Sequence, residues 1–376
     1  LGLVVYDLAF TLPLAAADPA VDPAPTATLR LDYFHTGGRG VEIFAVDRVV
    51  REPLPWPGHA ERISDDGNQG VYRFEVRGFA SIFGEWVTTA EAADRHRTFQ
   101  ESLRFPEPLG PVEVVVQRRQ PDQGFAVVWR TKIDPSDPFV DRAPPPHQEL
   151  IAIEQHGEPA DKVDLLFVGD GYTAAECTGK FAGDARRMAE ALFRHEPFAA
   201  RRGDFNVWGL CPAAAQSGVA RPSAGIHRRT PVAAAYDAFG SERYVLTFDN
   251  RALRDVASWA PYEFVTILVN SETYGGGGIF GAFATVAVDS EWADYLFVHE
   301  FGHHFAALAD EYYTSDVSYE TPAPTVEPWE PNITALLDPA ALKWRDLVAP
   351  GTPVPTPWGK EEYEKRSAAH QAERRA

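Results

Sequence analysis

The chain has 376 residues, which is more than one ordinary hydrophobic core accommodates and enough for two domains. Hydrophobic residues make up 45% and aromatic residues 12%, so a disordered protein is excluded. The formal net charge is -19, which repels phosphate backbones, so we expect no nucleic-acid partner. Beyond the N-terminus, no run approaches the roughly 20 apolar residues of a transmembrane helix, so we expect no stable membrane insertion.

Residues 1–27 begin with an apolar stretch that is followed by Ala15, Ala16 and Ala17. This order is typical of a signal-peptide core and its cleavage region, although the basic start is missing and Asp7 interrupts the run. We expect a signal-peptide remnant and hence a secreted, periplasmic or cell-surface protein. An unremarkable apolar tail is the alternative.

Residues 28–133 have the pattern of a β domain, in which short apolar runs are separated by turn formers such as GGRG (37–40) and PDQG (121–124). The runs predicted as strands lie at 41–46, 71–76, 80–87, 112–117 and 126–131. Several short strands at this spacing favour an antiparallel β-sandwich. The proline-rich segment that follows, 134–150, is predicted to be a linker.

Residues 151–376 alternate between strand and helix patterns. Buried strands are predicted at 163–172, 205–211 and 262–270, and helices at 177–195 and around 291–309. The almost wholly apolar run at 262–270 is typical of a central strand. We therefore predict an α+β protein, in which the sandwich precedes an α/β domain with a mixed sheet.

The second predicted helix carries the sequence His299-Glu300-Phe301-Gly302-His303. Two histidines at positions i and i+4 lie on one helical face and can reach a single metal ion. The glutamate beside the first histidine can act as general base toward the water that attacks a carbonyl. This pattern predicts a catalytic zinc site with Glu300 as the base.

A catalytic zinc site needs a third protein ligand, and the nearest carboxylates are Asp310 and Glu311. Asp310 lies seven residues past His303, where a chain reversal would swing its carboxylate back to the metal. We favour Asp310 as the ligand. Glu311 is the competitor, and it would otherwise orient a ligand through a hydrogen bond.

Two further groups of residues are weaker candidates. A hydroxyl of Tyr312, Tyr313 or Tyr319 would stabilise the developing oxyanion, although aromatic packing is the commoner role. The glycines Gly275, Gly276, Gly277 and Gly278 would let a substrate backbone approach an edge strand, or they form a flexible turn.

Several segments resemble the IgA-peptidase family of zinc metallopeptidases. In the second half they are LLFVGDGYTAAE (165–176), RRGDFNVWGL (201–210), YGGGGIF (274–280) and HEFGHHFAALADEYY (299–313). In the first half they are FHTGGRG (34–40), REPLPWPG (51–58) and GFASIFGEW (78–86). The resemblance covers nearly all of residues 28–358. It implies a zincin-like catalytic domain behind a β-sandwich, one catalytic zinc ion, and the roles given above to His299, Glu300, His303 and Asp310.

Two features depart from related zincins. Metzincins place a methionine turn after the metal-binding helix, but the single methionine, Met188, precedes this helix. The charged tail 359–376 ends abruptly, whereas members of the family continue with a further catalytic segment that contains cysteines. We expect the chain to be a fragment that lacks the C-terminal part of its catalytic domain, residues 151–376.

The sequence thus predicts a secreted zinc metallopeptidase that hydrolyses peptide bonds in proteins or peptides with zinc-activated water. The family name suggests immunoglobulin A as substrate. One alternative is a non-catalytic extracellular binding protein on a zincin scaffold, and another is a zinc hydrolase of a non-peptide amide. Cys177 and Cys211 are either bridged or free thiols.

Overall fold

The computed structural model describes residues 26–59, 68–74, 77–311 and 325–375. The expected signal-peptide remnant therefore lies outside the described residues, except for its last two positions. The first half of the described chain contains β-strands and one short helix. These elements are β1 (Ala27–Gly38), β2 (Val41–Pro55), β3 (Tyr72–Phe74), β4 (Arg77–Phe79), α1 (Ile82–Trp86), β5 (Arg97–Pro106), β6 (Val112–Arg119) and β7 (Phe125–Ile133).

The strands of the first half form two antiparallel sheets, in the orders β2-β1-β5 and β4-β3-β6-β7. Leu29, Leu31 and Tyr33 of β1 are buried in one hydrophobic cluster with Val114 and Val116 of β6. The sheets therefore share a core. Burial of alternate side chains along each strand is what drives this packing.

The strands predicted at 41–46, 112–117 and 126–131 are confirmed, but the strand predicted at 80–87 is wrong. That segment contains α1, which begins after Ser81, whose hydroxyl accepts a hydrogen bond of 2.8 Å from the N–H of Gly84. Ile82, Phe83 and Trp86 are buried on one face of the helix. Strand β5 was not predicted, because the buried Glu101 interrupts its apolar alternation.

The second half is built on a mixed sheet with helices. Its elements are β8 (Ile151–Glu154), β9 (Val163–Asp170), α2 (Ala174–Thr178), α3 (Lys180–Phe193), β10 (Phe205–Leu210), α4 (Asn250–Ala257), β11 (Phe264–Val269), β12 (Gly276–Ile279), β13 (Phe283–Ala287), α5 (Ala293–Ala306) and α6 (Lys360–Arg375).

The mixed sheet has the strand order β12-β13-β11-β9-β10-β8. Its four inner strands are parallel, and each outer strand is antiparallel to its neighbour. The strands predicted at 163–172, 205–211 and 262–270 are confirmed, and the last of them, β11, is an inner strand as expected. The predicted α+β composition is therefore confirmed, with antiparallel sheets first and a mixed sheet afterwards.

Helices α3 and α5 pack together on one face of the mixed sheet. Phe181 and Met188 of α3 are fully buried with Phe297 and Phe301 of α5. The helix predicted at 177–195 is divided at Gly179 into α2 and α3. This packing holds α5, the helix that carries the predicted metal motif, against the sheet.

Helix α4 joins the two halves, because it lies against the sheet β2-β1-β5. Asp255 accepts hydrogen bonds of 2.5 Å from the fully buried Arg30 and 2.7 Å from Arg48. Asn250 donates a 2.7 Å hydrogen bond to the hydroxyl of Ser102. The two halves are therefore held in one orientation by charge-assisted contacts that are largely shielded from water. The limits of the domains and of the linker at 134–150 remain predictions.

Cys177 and Cys211 form a disulfide bond, so the question that the sequence left open is answered. The bond ties α2 to the end of β10, across 34 positions of sequence. Among the described residues, no helix is both long enough and apolar enough to cross a membrane.

Candidate metal centre

The predicted metal motif lies on α5, between residues that pack into the core. Leu296, Phe297 and Phe301 of α5 are buried and fix the rotation of the helix. The opposite face carries His299 and His303, which are partly exposed. The apolar stripe therefore determines that the histidines face the solvent side of the helix.

The chain reverses direction directly after α5. Ala307 adopts the left-handed conformation, with a φ of 57°, and its N–H is bonded to the carbonyls of Gly302 and His303. This is the common way in which helices end, although glycine is the usual residue there. The reversal returns the next residues, including Asp310, to the histidine face.

Three ligand atoms converge beyond this reversal. The Oδ1 atom of Asp310 lies 3.2 Å from Nε2 of His299 and 3.1 Å from Nε2 of His303, and the two Nε2 atoms are 3.2 Å apart. Ligands about 2.0–2.1 Å from a tetrahedral zinc ion stand about 3.3–3.4 Å from each other. The three atoms thus have nearly the spacing of three corners of such a site, and a nitrogen and oxygen donor set suits zinc.

The imidazole of His303 is oriented by the turn that follows the helix. Its Nδ1–H donates a 2.5 Å hydrogen bond to the carbonyl of Leu308, which leaves the lone pair of Nε2 directed at the centre. Burial by itself would lower the pKa of His303. The hydrogen bonds to Asp310 and to the Leu308 carbonyl have the larger effect and raise that pKa to about 9. A proton and a metal ion therefore compete for the same position.

Asn332 fastens the segment that carries Asp310. The side-chain amide of Asn332 accepts a hydrogen bond from the N–H of Ala309 and donates one to its carbonyl, each of 2.8 Å. It also donates a 2.8 Å hydrogen bond to Oε1 of Glu311. The carboxylate of Glu311 is therefore bonded to this amide, whereas that of Asp310 lies beside the histidines. No sequence signal pointed to Asn332.

Glu300 is buried beside the ligand atoms, with an exposed fraction of 9%. Burial raises the pKa of its carboxyl to about 7, although the charges of His303, His299 and Arg243 oppose that shift. The carboxyl is therefore able both to accept and to release a proton near neutral pH.

The glycines of β12 give α5 room to approach the sheet. A Cβ atom on Gly278 would overlap the carbonyl oxygen of Glu300 and lie 3.0 Å from Cβ of His303. A Cβ atom on Gly276 would lie 3.2 Å from Cγ of Glu300. Close packing of backbone against helix is one of the reasons for glycine in a strand.

The outer edge of β12 is partly covered by the chain itself. The N–H of Gly276 donates to the carbonyl of Arg243, and its carbonyl accepts from the N–H of Val245, each at 3.1 Å. Gly276 is therefore already paired. The register with β13 points the backbone groups of Gly278 toward the same outer edge. The predicted role of this strand in binding substrate remains a prediction, and it concerns Gly278 more than Gly276.

Other side chains near the centre were missed by the sequence analysis. The ring of Tyr295 stacks on that of His299, with centroids 6.0 Å apart, and is 64% exposed. Its position four residues before His299 would have placed it on the same helical face. Burial and the nearby carboxyl of Glu300 raise the pKa of the Tyr274 phenol, and Arg243 opposes that rise.

The first half of the chain also contributes a side chain to this region. Burial raises the pKa of Glu85 in α1 to about 7, with His303 opposing the shift and Asp310 and Glu330 adding to it. Helix α1 reaches this position because the N–H of Ala80 donates a 2.9 Å hydrogen bond to the carbonyl of Phe280, at the turn after β12. The predicted candidates Tyr312, Tyr313 and Tyr319 lie outside the described residues.

Comparisons with known proteins cover nearly the whole chain. Residues 151–376 match the family described as IgA Peptidase M64, and residues 22–130 match the one described as Peptidase M64 N-terminus. No curated protein matches the chain. The first of these matches alone spans more than half of the sequence and includes His299, Glu300, His303 and Asp310. The chain is therefore a member of the M64 peptidase family, and the resemblance seen in its motifs is confirmed.

Proposed function

We propose that this protein is a secreted, zinc-dependent metallopeptidase with His299, His303 and Asp310 as metal ligands. The observation that carries the proposal is the convergence of their three ligand atoms, at separations of 3.1–3.2 Å, beside the buried Glu300. Membership of a peptidase family supports peptide bonds as the target. The packing of α5 on β12 and β13 supports a zincin-like fold for the second half.

In this proposal Glu300 carries out the proton transfers. A bound zinc ion supplies Lewis acidity, which polarises a carbonyl and acidifies water. Glu300 takes a proton from the attacking water and passes it to the leaving nitrogen of the scissile bond. Burial raises the pKa of this carboxyl above its ordinary value, toward neutral pH, which favours a group that must both accept and release a proton.

Positioning of the substrate follows from the edge of the sheet. Gly278 offers outward backbone groups beside His303, and an extended peptide pairs with such groups through main-chain hydrogen bonds. Tyr295 stacks on the proposed ligand His299, and Tyr274 and Arg243 are near enough to Glu300 to interact with it electrostatically. We assign Glu311 to orienting the Asp310 segment through Asn332, and we retain Tyr312, Tyr313 and Tyr319 as candidate oxyanion donors.

The disulfide between Cys177 and Cys211 supports export, because such bonds persist mainly in oxidising compartments. The proposed arrangement is a β-sandwich at 28–133, a linker at 134–150 and a catalytic domain at 151–376. The family description suggests immunoglobulin A-type substrates.

The decisive test measures zinc content and protein cleavage in the same preparations, made without chelators. We expect one zinc ion per chain, lost from His303→Ala. Glu300→Gln should retain the zinc, while its rate of cleavage falls by about 10²- to 10⁴-fold.

Each alternative has its own signature in that test. Zinc binding without cleavage in either the unmodified protein or Glu300→Gln would indicate a binding protein on this scaffold. Cleavage of small amides without cleavage of unfolded proteins would indicate a non-peptide hydrolase. Failure of the unmodified protein to bind zinc would remove the proposal altogether.

A further inference from the structure

A cavity of about 390 Å³ lies between the two halves of the molecule, apart from the metal centre. None of His299, Glu300, His303 or Asp310 is among the described residues that line it. Much of its wall is aromatic and includes Trp56, Phe74, Phe79, Phe280 and Phe283. Junctions between domains are a common location for ligand sites, and a volume of this size holds a small organic molecule.

One of the charged residues that line this cavity is Arg254 of α4, which is 7% exposed. Its guanidinium donates hydrogen bonds of 3.3 Å to Oδ1 of Asn250, 3.3 Å to the hydroxyl of Tyr262 and 2.9 Å to the carbonyl of Ala282. All of these acceptors are neutral. A guanidinium has more N–H donors than these three bonds use, so donors remain for a ligand.

Arg254 differs from the other buried arginines at the same junction. Arg30 is paired with Asp32 and Glu52, and Arg104 is paired with Glu52. Across the described part of the chain, no carboxylate lies within ion-pair distance of Arg254. A buried charge without a counter-charge is costly, and proteins normally supply a partner. An anion in the cavity would be such a partner.

A second observation at this cavity concerns Trp56. Its Nε1–H is buried and has no hydrogen-bond acceptor among the residues that the structure describes. Between Trp56 and Arg254 lie Arg104, whose guanidinium is 6.0 Å from the Trp56 ring, and Tyr262, whose ring is 3.7 Å from Arg104. Among the residues that the structure describes, the lining of this cavity thus includes a cation without a carboxylate partner, Arg254, and an N–H donor without an acceptor, that of Trp56.

Two carboxylates among the described residues line the cavity, and both already accept hydrogen bonds. Glu101 accepts hydrogen bonds from Tyr33 and from the N–H of Phe83, and Glu263 accepts one from the N–H of Asp164. Neither lies within 4 Å, the limit for an ion pair, of the Arg254 guanidinium. The anionic group of a ligand is therefore expected beside Arg254.

We propose that this cavity binds a small aromatic carboxylate. Its carboxylate would accept hydrogen bonds from Arg254, its ring would pack among the phenylalanines, and a polar atom at its far end would accept from Trp56. The site is separate from the proposed peptidase centre and does not depend on it.

The test is calorimetric titration of the full chain with 4-hydroxyphenylacetate, which has a carboxylate at one end and a hydroxyl oxygen at the other. We expect saturable binding with a Kd below about 1 mM. The neutral 4-hydroxyphenylacetamide should bind about 10- to 100-fold more weakly, because it lacks the charge that pairs with Arg254. Phenylacetate, which lacks the hydroxyl, should bind about 3- to 10-fold more weakly.

The same titration with substituted proteins tests which residue binds the carboxylate. Arg254→Met should lose about 10- to 100-fold in affinity for 4-hydroxyphenylacetate. Arg251→Met is the matched control, because Arg251 lies on the same helix and pairs with Asp47 outside the cavity, and it should bind normally. Glu300→Gln should also bind normally.

The proposal is overturned if the unmodified protein shows no saturable binding, or if the neutral amide binds as tightly as the carboxylate. Both outcomes are read from the unmodified protein, so they do not require Arg254→Met to fold. Equal loss of affinity in Arg251→Met and Arg254→Met would also overturn it.

Discussion

The side-chain amide of Asn332 forms two hydrogen bonds of 2.8 Å with the backbone of Ala309: it accepts one from the N–H and donates one to the carbonyl. The next residue is Asp310, whose carboxylate lies beside His299 and His303. Asn332 therefore holds the third proposed ligand in place without touching the metal centre. Outer contacts of this kind commonly set the affinity of a site for its metal.

Removal of the hydrogen bonds between Asn332 and Ala309 should weaken metal binding without abolishing it. We expect Asn332→Ala to lower zinc affinity by about 10- to 100-fold, and Asp310→Asn to lower it by more than that. Competition with a chromogenic chelator measures both. The control is Glu311→Gln, which retains an acceptor for Asn332 and should stay within about 3-fold of the unmodified protein. A larger effect at Glu311 than at Asp310 would reverse our assignment of the ligand.

The space around two glycines, one in β12 and one in α3, predicts opposite effects when each is replaced by alanine. Gly278→Ala should destabilise the protein by about 1–3 kcal/mol, because its Cβ would overlap the carbonyl oxygen of Glu300. Gly183→Ala, in the first turn of α3, should stabilise it by about 0.5–1 kcal/mol, because alanine restricts the unfolded chain and its Cβ would extend into open space. Denaturant unfolding measures both free energies. Equal stability of the two variants would contradict this packing.

The surroundings of His35 predict that its contribution to the free energy of unfolding depends on pH. Its buried ring lies between two carboxylates, with Nδ1 3.1 Å from Glu101 and Nε2 2.9 Å from Glu42, so both nitrogens donate when the ring is protonated. Burial alone would lower the pKa of His35, but the carboxylates outweigh it and raise that pKa above its ordinary value.

Since the folded-state pKa of His35 is raised, its stabilising effect is complete below the unfolded pKa of about 6.5 and disappears as the pH rises through the folded value. We expect His35→Gln to lose about 1–3 kcal/mol of unfolding free energy at pH 5.5 and less at alkaline pH. Urea unfolding across this range measures the difference. A penalty that grows with pH would show that the ring is neutral in the folded protein.

The disulfide predicts a conformational contribution to stability. Replacement of both Cys177 and Cys211 by serine should lower the free energy of unfolding by about 3–4 kcal/mol, because the bond closes a loop of 34 positions in the unfolded chain. Thermal unfolding of this variant, compared with the reduced and oxidised unmodified protein, measures the effect. Identical unfolding temperatures for all three would mean that the bond does not constrain the chain.

The local sequence determined those features that depend on short-range periodicity. The spacing of His299 and His303 places both rings on one face of any helix, and the apolar residues of the same helix decide which face is buried. The same reasoning found β9, β10 and β11, whose apolar runs are long enough to be recognised as buried strands. It was wrong at 80–87, where five helical residues are too few to distinguish one period from the other.

The tertiary structure alone decided what depends on contacts distant in sequence. Asp310 rather than Glu311 lies beside the histidines because Ala307 is left-handed and because Asn332 is hydrogen-bonded to Ala309, 23 residues earlier in the chain. Glu85 reaches the same region from the first half of the chain because α1 docks on the turn after β12. The cavity at Arg254 exists only where the two halves meet. The periodicity of apolar residues does not predict contacts between segments that are distant in sequence. It describes each segment relative to its own axis and not relative to its neighbours.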